Sequence, residues 1–436
     1  MQTKLDTQAK NSLERRVDLS VAVADLDRDV DQRLRQIGRT VKMAGFRPGK
    51  VPFNIVKQQY GHQARSDALS EALDKAFGEA VKAQNLRVAG QPRIEPKAAA
   101  NEAVVEFSAV FEIFPEFSIG DVSVETINRP ALEVGSAEIE KTLEILRKQR
   151  VTYETVDRPA QNGDRVTIDF TGRRNGEIFQ GGHATDYAFV LGEGSMLADF
   201  EKAVEGTAAG VSKTFDMTFP AEYFAKDLAG QQVQFEIAVK SVQVPVLPAI
   251  DGEFAKALGV ADGDVDRMRA EVEGNLRREV KKRIQARVKE QVMDALIRTN
   301  AIDVPSALVD AEVHRLTEAA RQDMANRGMK IKDMPIRPEW FGEQAVRRVK
   351  LGLILAELVK SEKLQAQSDQ VKAAITDGAQ SYENPDEVVR WYYAQPQRLA
   401  DVEAVVIEDN VVEWVLSRAT VTDSPIGFDE LMGRGS

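Results

Sequence analysis

Apolar and polar residues alternate over residues 16–24, with Val17, Leu19, Val21 and Val23 on one side. That period of two predicts a strand with one buried face. The spacing then changes: Val30, Leu34, Ile37 and Val41 step by four, three and four, which predicts a helix. Its other face carries Arg35, Arg39 and Lys42. Gly45 should stop this helix and Pro52 start the next, because proline at the first helical position forfeits no hydrogen bond. A further helix is expected near 67–86. Val105, Phe107, Ala109, Phe111 and Ile113 then alternate, so a strand closes an α+β domain over residues 1–115.

Residues 116–160 read as a helical linker packing with the C-terminal region, with Ile139, Leu143, Ile145 and Leu146 as the apolar face of "SAEIEKTLEILRKQRVTYE". Period two returns at Gly163. Val166, Ile168 and Phe170 form one strand, Phe215, Met217 and Phe219 another, and Val233, Phe235, Ile237 and Val239 a third. With glycine-rich turns and one short helix around 198–206, they predict a half-barrel domain over 161–244.

"PVLPAIDGEF" (245–254) is a proline-marked linker, and beyond it strand patterning disappears. Val272, Leu276, Val280, Ile284, Val288, Val292 and Leu296 recur every four residues, which predicts a long helix. A step of four overshoots one turn by about 40°, so the apolar stripe winds round the helix, and part of it should stay open. Helices near 305–327, 339–362, 368–382 and 397–418 follow, separated by "IDVP", "DMPIRP" and "YENPDE", giving an all-helical region over 245–436. The expected fold class is α+β multidomain: an α+β head, a half-barrel β domain with one short helix, and a long all-helical C-terminal domain.

Composition narrows the chemistry. With 43% hydrophobic and 29% charged residues among 436, the chain reads as folding. It has no cysteine, which removes disulfides, thiol nucleophiles and zinc-thiolate sites. The three histidines, His62, His183 and His314, lie far apart and in no metal-ligand spacing. His62 and His314 are expected on helix surfaces and His183 at a strand-to-loop connection. "LGEGSML" holds a lone Gly-x-Gly, which reads as a turn and not a nucleotide site. No cofactor and no metal are expected. The polar opening "MQTKLDTQAKNSLERR" lacks the apolar run of a signal peptide, and "LGLILAELV" (351–359) is too short to span a bilayer. A cytoplasmic location with no membrane partner is therefore expected.

Net charge is −11, yet from Arg35 to Ser66 there is no acidic residue, while Arg35, Arg39, Lys42, Arg47, Lys50, Lys57 and Arg65 are all basic. A one-sign block in an oppositely charged chain suits a local anionic partner better than a solvated helix face, because it centres on the bend "MAGFRPGKVP". A second concentration is aromatic and aliphatic. Phe170, Phe179, Tyr187, Phe189, Met196, Leu197, Phe200 and Phe235 crowd one short domain of a chain only 6% aromatic. Phe189 reads as core; for the others, core and pocket both remain open at this level.

"GDRVTIDFTGRRNGEIFQGG", "YAFVLGEGSMLADFEKAVEGTAAG", "FPAEYF" and "VQFEIAVKSV" resemble the FK506-binding type of peptidyl-prolyl cis–trans isomerase. "GFRPGKVP" resembles the Gly-Phe-Arg-x-Gly-x-x-Pro ribosome-docking motif of the bacterial trigger factor family, and the order of parts, with "FDELM" near the finish, is similar to that family end to end. The resemblance implies an ATP-independent chaperone that docks on the large ribosomal subunit near the exit tunnel, binds nascent polypeptides and isomerises X-Pro bonds. Its implied docking residues are Gly45, Phe46, Arg47, Gly49, Lys50 and Pro52. Its implied isomerase residues are Phe170, Phe179, Tyr187, Met196, Leu197, Phe200, Tyr223 and Phe235.

The implied partners are exit-tunnel protein and ribosomal RNA, nascent or unfolded polypeptides, and a second copy of the chain off the ribosome. The chain departs from single-domain FK506-binding proteins at Gln180, where they carry an acidic residue, and at Phe200, where they carry tryptophan; its loop after Tyr223 is also shorter. These departures bear on FK506 affinity more than on isomerisation. Two other readings compete: a free prolyl isomerase whose flanks recruit substrates without ribosome docking, and an RNA-binding protein using residues 35–66.

Overall fold

The computed structural model describes residues 12–46, 49–97, 103–223, 225–328, 336–380, 382 and 384–433. The chain divides into two compact units, Met1–Pro130 with Ala286–Ser424, and Ala131–Gln285 with Pro425–Ser436.

The first unit begins with β1 (Glu14–Ala22), α1 (Val23–Thr40), α2 (Phe53–Ala83), β2 (Val88–Pro96) and β3 (Val104–Ile113). The strands form an antiparallel sheet in the order β1-β3-β2. Val17, Leu19 and Val21 of β1 pack with Leu26, Val30 and Leu34 of α1 and with Val56, Ala64 and Leu73 of α2. The expected helix near 67–86 is the second half of α2, because nothing between Phe53 and Ala83 breaks it. Helix α1 ends at Thr40, before Gly45, and Pro52 sits at the N-cap of α2 rather than inside it. β4 (Thr126–Ala131) follows.

The second unit contains α3 (Ser136–Lys148), β5 (Thr152–Thr155), β6 (Arg165–Arg174), β7 (Glu177–Val190), α4 (Ala198–Val204), β8 (Ser212–Thr218), β9 (Gln232–Val246) and α5 (Gly252–Ala257). The expected helix through residue 154 stops at Lys148. Thr152, Tyr153 and Thr155 are β-branched or aromatic, and β9 offers them an edge at Gln243–Val246. The five-stranded antiparallel sheet runs β5-β9-β6-β7, with β8 also on β9. Val166, Ile168, Ile237, Val239 and Val242 form its dry interior. His183 lies within β7, opposite Thr171 of β6, and not at a strand end.

α6 (Val265–Thr299) carries the predicted apolar stripe. The stripe is covered more fully than its winding suggested. Val272 packs with Leu143 of α3 and Phe254 of α5, while Leu276, Val280 and Ile284 pack with Phe428, Leu431 and Met432. Val288, Val292 and Leu296 are buried in the other unit. Successive partners, not one, follow the spiral.

The remaining elements are α7 (Ser306–Asn326), α8 (Gly342–Glu362), α9 (Ser368–Ala379), α10 (Pro385–Tyr393), α11 (Pro396–Leu416), β10 (Thr420–Pro425) and α12 (Phe428–Leu431). The sequence reading missed α10, which starts within the "YENPDE" separator because Pro385 suits a first turn. It also missed β10, which pairs with β4. No helix among the described residues is long and apolar enough to cross a membrane.

Candidate functional site

The curled face of the five-stranded sheet and the segment leading into α4 enclose a cavity of about 1010 Å3. Phe170 comes from β6, Phe179 and Tyr187 from β7, and Phe235 from β9. Met196 and Leu197 precede α4, Phe200 lies on it, and Tyr223 stands beyond β8. All eight side chains line this one cavity.

Phe200 is only 2% exposed and forms its floor, meeting Phe170 at 5.7 Å and 78° and Phe235 at 5.1 Å and 89°. Phe179 meets Phe235 edge-on at 5.8 Å. Such T-shaped contacts put the positive edge of one ring on the negative face of another and fix both. Gly172 makes the crowding possible: a Cβ there would lie 2.6 Å from the Phe235 ring and 2.7 Å from that of Phe179. Tyr187 is 38% exposed and closes one side of the mouth.

Polar contacts reaching from β6 and β9 hold the backbone of β7 next to Tyr187. Register between β6 and β7 shifts between Ile168 and Phe170, and Asp186 sits there at φ +53°. The Asp186 N–H donates to Asp169 at 2.8 Å, while the Lys240 ammonium bridges Asp169 at 2.9 Å and Asp186 at 2.6 Å. The Asp186 amide, then Lys240, holds the Asp169 carboxyl below its usual range.

Sequence reasoning missed several lining residues. Met217 and Phe219 alternate like any strand interior, so their pattern gave no sign of a pocket. Arg174 and Asp227 mark the rim, where the Arg174 guanidinium donates to the Asp227 carbonyl at 2.5 Å. Gln180 also lines the cavity.

The basic block forms a second candidate surface. Gly45 and Gly49 take φ of +85° and +77°, left-handed backbone that glycine adopts without strain. The Phe46 N–H donates to the Met43 carbonyl at 3.1 Å, closing the turn and leaving the Phe46 ring 37% exposed. Phe53, also 37% exposed, stands just past Pro52. Arg47 lies outside the described residues. Arg35, Arg39, Lys42, Lys50 and Lys57 are exposed and make no ion pair among the described residues. Arg65, counted with them in the sequence, is instead paired with Asp27 at 2.9 Å.

Residues 156–240 match the model of the FKBP-type peptidyl-prolyl cis-trans isomerase. Residues 1–146 match that of the bacterial trigger factor protein, and residues 264–417 that of its C-terminus. The half-barrel and its aromatic cavity thus define an FKBP-type prolyl isomerase set within a larger chain. A trigger factor from Azoarcus sp. (strain BH72) is 60% identical over all of both chains. One from Dechloromonas aromatica (strain RCB) is 63% identical over 98% of this chain and 99% of that one. A solved trigger factor chaperone chain aligns at 16% identity and a TM-score of 0.47, covering 95% of this chain and 99% of its own.

The chain belongs to the trigger factor family. It is a ribosome-associated chaperone with peptidyl-prolyl cis–trans isomerase activity.

Proposed function

We propose that the aromatic cavity is where an X-Pro bond turns, and that the Gly45–Pro52 loop is what holds the protein at the ribosome. Rotation must cross about 20 kcal/mol, since the twisted amide loses its resonance. No nucleophile is needed. A dry cup that binds the twisted amide better than the planar one lowers the barrier by differential binding. Phe170, Phe179, Tyr187, Met196, Leu197, Phe200, Tyr223 and Phe235 supply that surface. The Leu197 amide, which has no partner among the described residues, offers the cup a donor for a substrate carbonyl. The observation that supports this reading is the convergence of these eight side chains, drawn from five separate segments, on one cavity.

In the head, Lys50 and Arg47 meet ribosomal RNA phosphates, Phe46 provides an apolar anchor, and Gly45, Gly49 and Pro52 shape the tip. This places the molecule in the cytoplasm at the large subunit, beside emerging polypeptide. Residues 1–115 dock, 161–244 isomerise and 245–436 hold unfolded chain, with 116–160 as connection. The exposed Trp340, Trp391 and Tyr393 offer apolar contact in the helical region. Family resemblance extends the proposal to a homodimer off the ribosome, read by sedimentation velocity.

The test is a protease-coupled assay on a prolyl tetrapeptide with Phe179→Ala and Tyr187→Ala. Both should lower kcat/KM by about ten-fold or more. Rates equal to the parent's would move the cup elsewhere.

A further inference from the structure

The segment from Leu191 to Leu197 supplies Gly194, Ser195, Met196 and Leu197 to the cavity wall, yet it has no regular secondary structure. It turns through positive φ at Gly192 and Gly194. One carboxylate braces it. Glu201 on α4 accepts the Gly192 N–H on Oε2 at 2.9 Å and the Met196 N–H on Oε1 at 3.1 Å. The two amides stand at opposite ends of the turn, and the carboxylate receives both. The N-terminal end of the segment is tied separately: Leu191 N–H donates to the Asp164 carbonyl at 2.9 Å, and Gly163 N–H to the Leu191 carbonyl at 2.8 Å. The C-terminal end is tied by the Glu201 N–H, which donates to the Leu197 carbonyl at 3.0 Å.

We propose that Glu201 is a positioning residue for the isomerase, clamping the 192–197 turn so that the Met196 and Leu197 side chains and the Leu197 amide face the cavity. A charged acceptor makes shorter and stronger bonds to backbone N–H groups than a neutral one, and two such bonds from one rigid carboxylate fix both distance and orientation. Because the Met196 N–H is held by Glu201, that peptide group is turned toward α4, and the next amide, that of Leu197, is left for a substrate. Glu201 itself does not line the cavity. Its effect on the reaction runs through the turn, where displacement of a positioning group by about 1 Å can cost up to about a hundred-fold in rate.

The inference rests on the isomerase reading of the cavity, and the experiment separates the two. In the full-length protein, Glu201→Gln keeps the shape but presents one acceptor and one donor to two N–H groups, and Glu201→Ala removes the clamp. Glu205→Gln, on the exposed residue after the same helix, is the control. kcat and KM for a prolyl tetrapeptide are measured separately, together with amide hydrogen exchange at Gly192 and Met196. Faster exchange at both amides is expected, with kcat lowered about ten-fold in Glu201→Gln, KM little changed, and Glu205→Gln like the parent. Glu201→Asp, which retains the charge, should recover part of kcat.

Faster exchange with unchanged kcat would make the carboxylate structural only and overturn the proposal. So would unchanged exchange. If Phe179→Ala lowers kcat/KM while Glu201→Gln and Glu201→Ala do not, the clamp fails and the cavity assignment stands. If neither residue matters, both fail.

Discussion

Phe200 and Phe235 meet edge to face with ring centroids 5.1 Å apart and planes at 89°. The pair joins α4 to β9, and Phe200 also touches Phe170, Phe189 and Phe215, so one ring ties the helix to the sheet. Its removal therefore has two consequences. Phe200→Ala should destabilise the isomerase domain by about 3–5 kcal/mol and lower the corresponding calorimetric transition. Phe200→Leu should recover much of that stability, because the cavity left is smaller, but less of the isomerase rate.

Gly172 permits Phe179 and Phe235 to lie against the backbone of β6. In Gly172→Ala the new methyl would fall within 3 Å of both rings. Overpacking of this kind costs about 1–3 kcal/mol and moves the rings outward. The expected outcome is a modest drop in melting temperature with a larger loss of kcat/KM, read on the same tetrapeptide. A variant with parental kinetics would show that the rings yield without altering the cup.

Asp164 sets a pH dependence. It is buried and takes two hydrogen bonds from Arg158, at 2.6 and 2.9 Å, and one from the Gln161 amide at 2.8 Å. Burial pushes its carboxyl up, but the Arg158 hydrogen bonds, the Gln161 amide and the guanidinium charge together bring it below the usual range. A lowered carboxyl pKa stabilises the fold above the unfolded value, near 3.9, and that contribution is lost as pH falls through the folded value. Denaturation below about pH 4 should thus be steeper in the parent than in Asp164→Asn. The Asn variant should be less stable at neutral pH by about 2–3 kcal/mol, discounted because Arg158 is one-third exposed. Urea midpoints at pH 7 and pH 3 check both.

How much of this was written in the chain depends on the distance between partners. The stripe on α1 faces β1, its neighbour in sequence, and period alone finds both. The stripe on α6 was equally plain, but the residues that cover it, Phe428 and Leu431, lie well over a hundred positions away, and periodicity carries no such information. The same holds for β4 and β10, joined by Arg129 and Asp423 through bonds of 2.6 and 2.9 Å. Short strands on their own show too few alternations to stand out. At the cavity, aromatic density pointed to the domain and family resemblance to the residues. Glu201 escaped notice because a carboxylate on a short amphipathic helix looks like surface until its two amide donors are seen.

The paired state of Arg65 refines the charge argument in the same way. Composition counts it with Lys50, yet Asp27 already neutralises it. Among the described residues, the other cations of this basic block make no ion pair and lie on either side of the Phe46 turn, and the docking claim rests on them.

That claim is tested most directly by cosedimentation with ribosomes across a salt series, comparing the parent with Phe46→Ala, Lys50→Ala and the double variant. The account predicts weaker binding in each single variant and the weakest in the double. It also predicts that Lys50→Ala lowers the dependence of log affinity on log salt by about one, as expected for one lost phosphate contact. Binding by the double variant equal to the parent's, with the same salt slope, would contradict it.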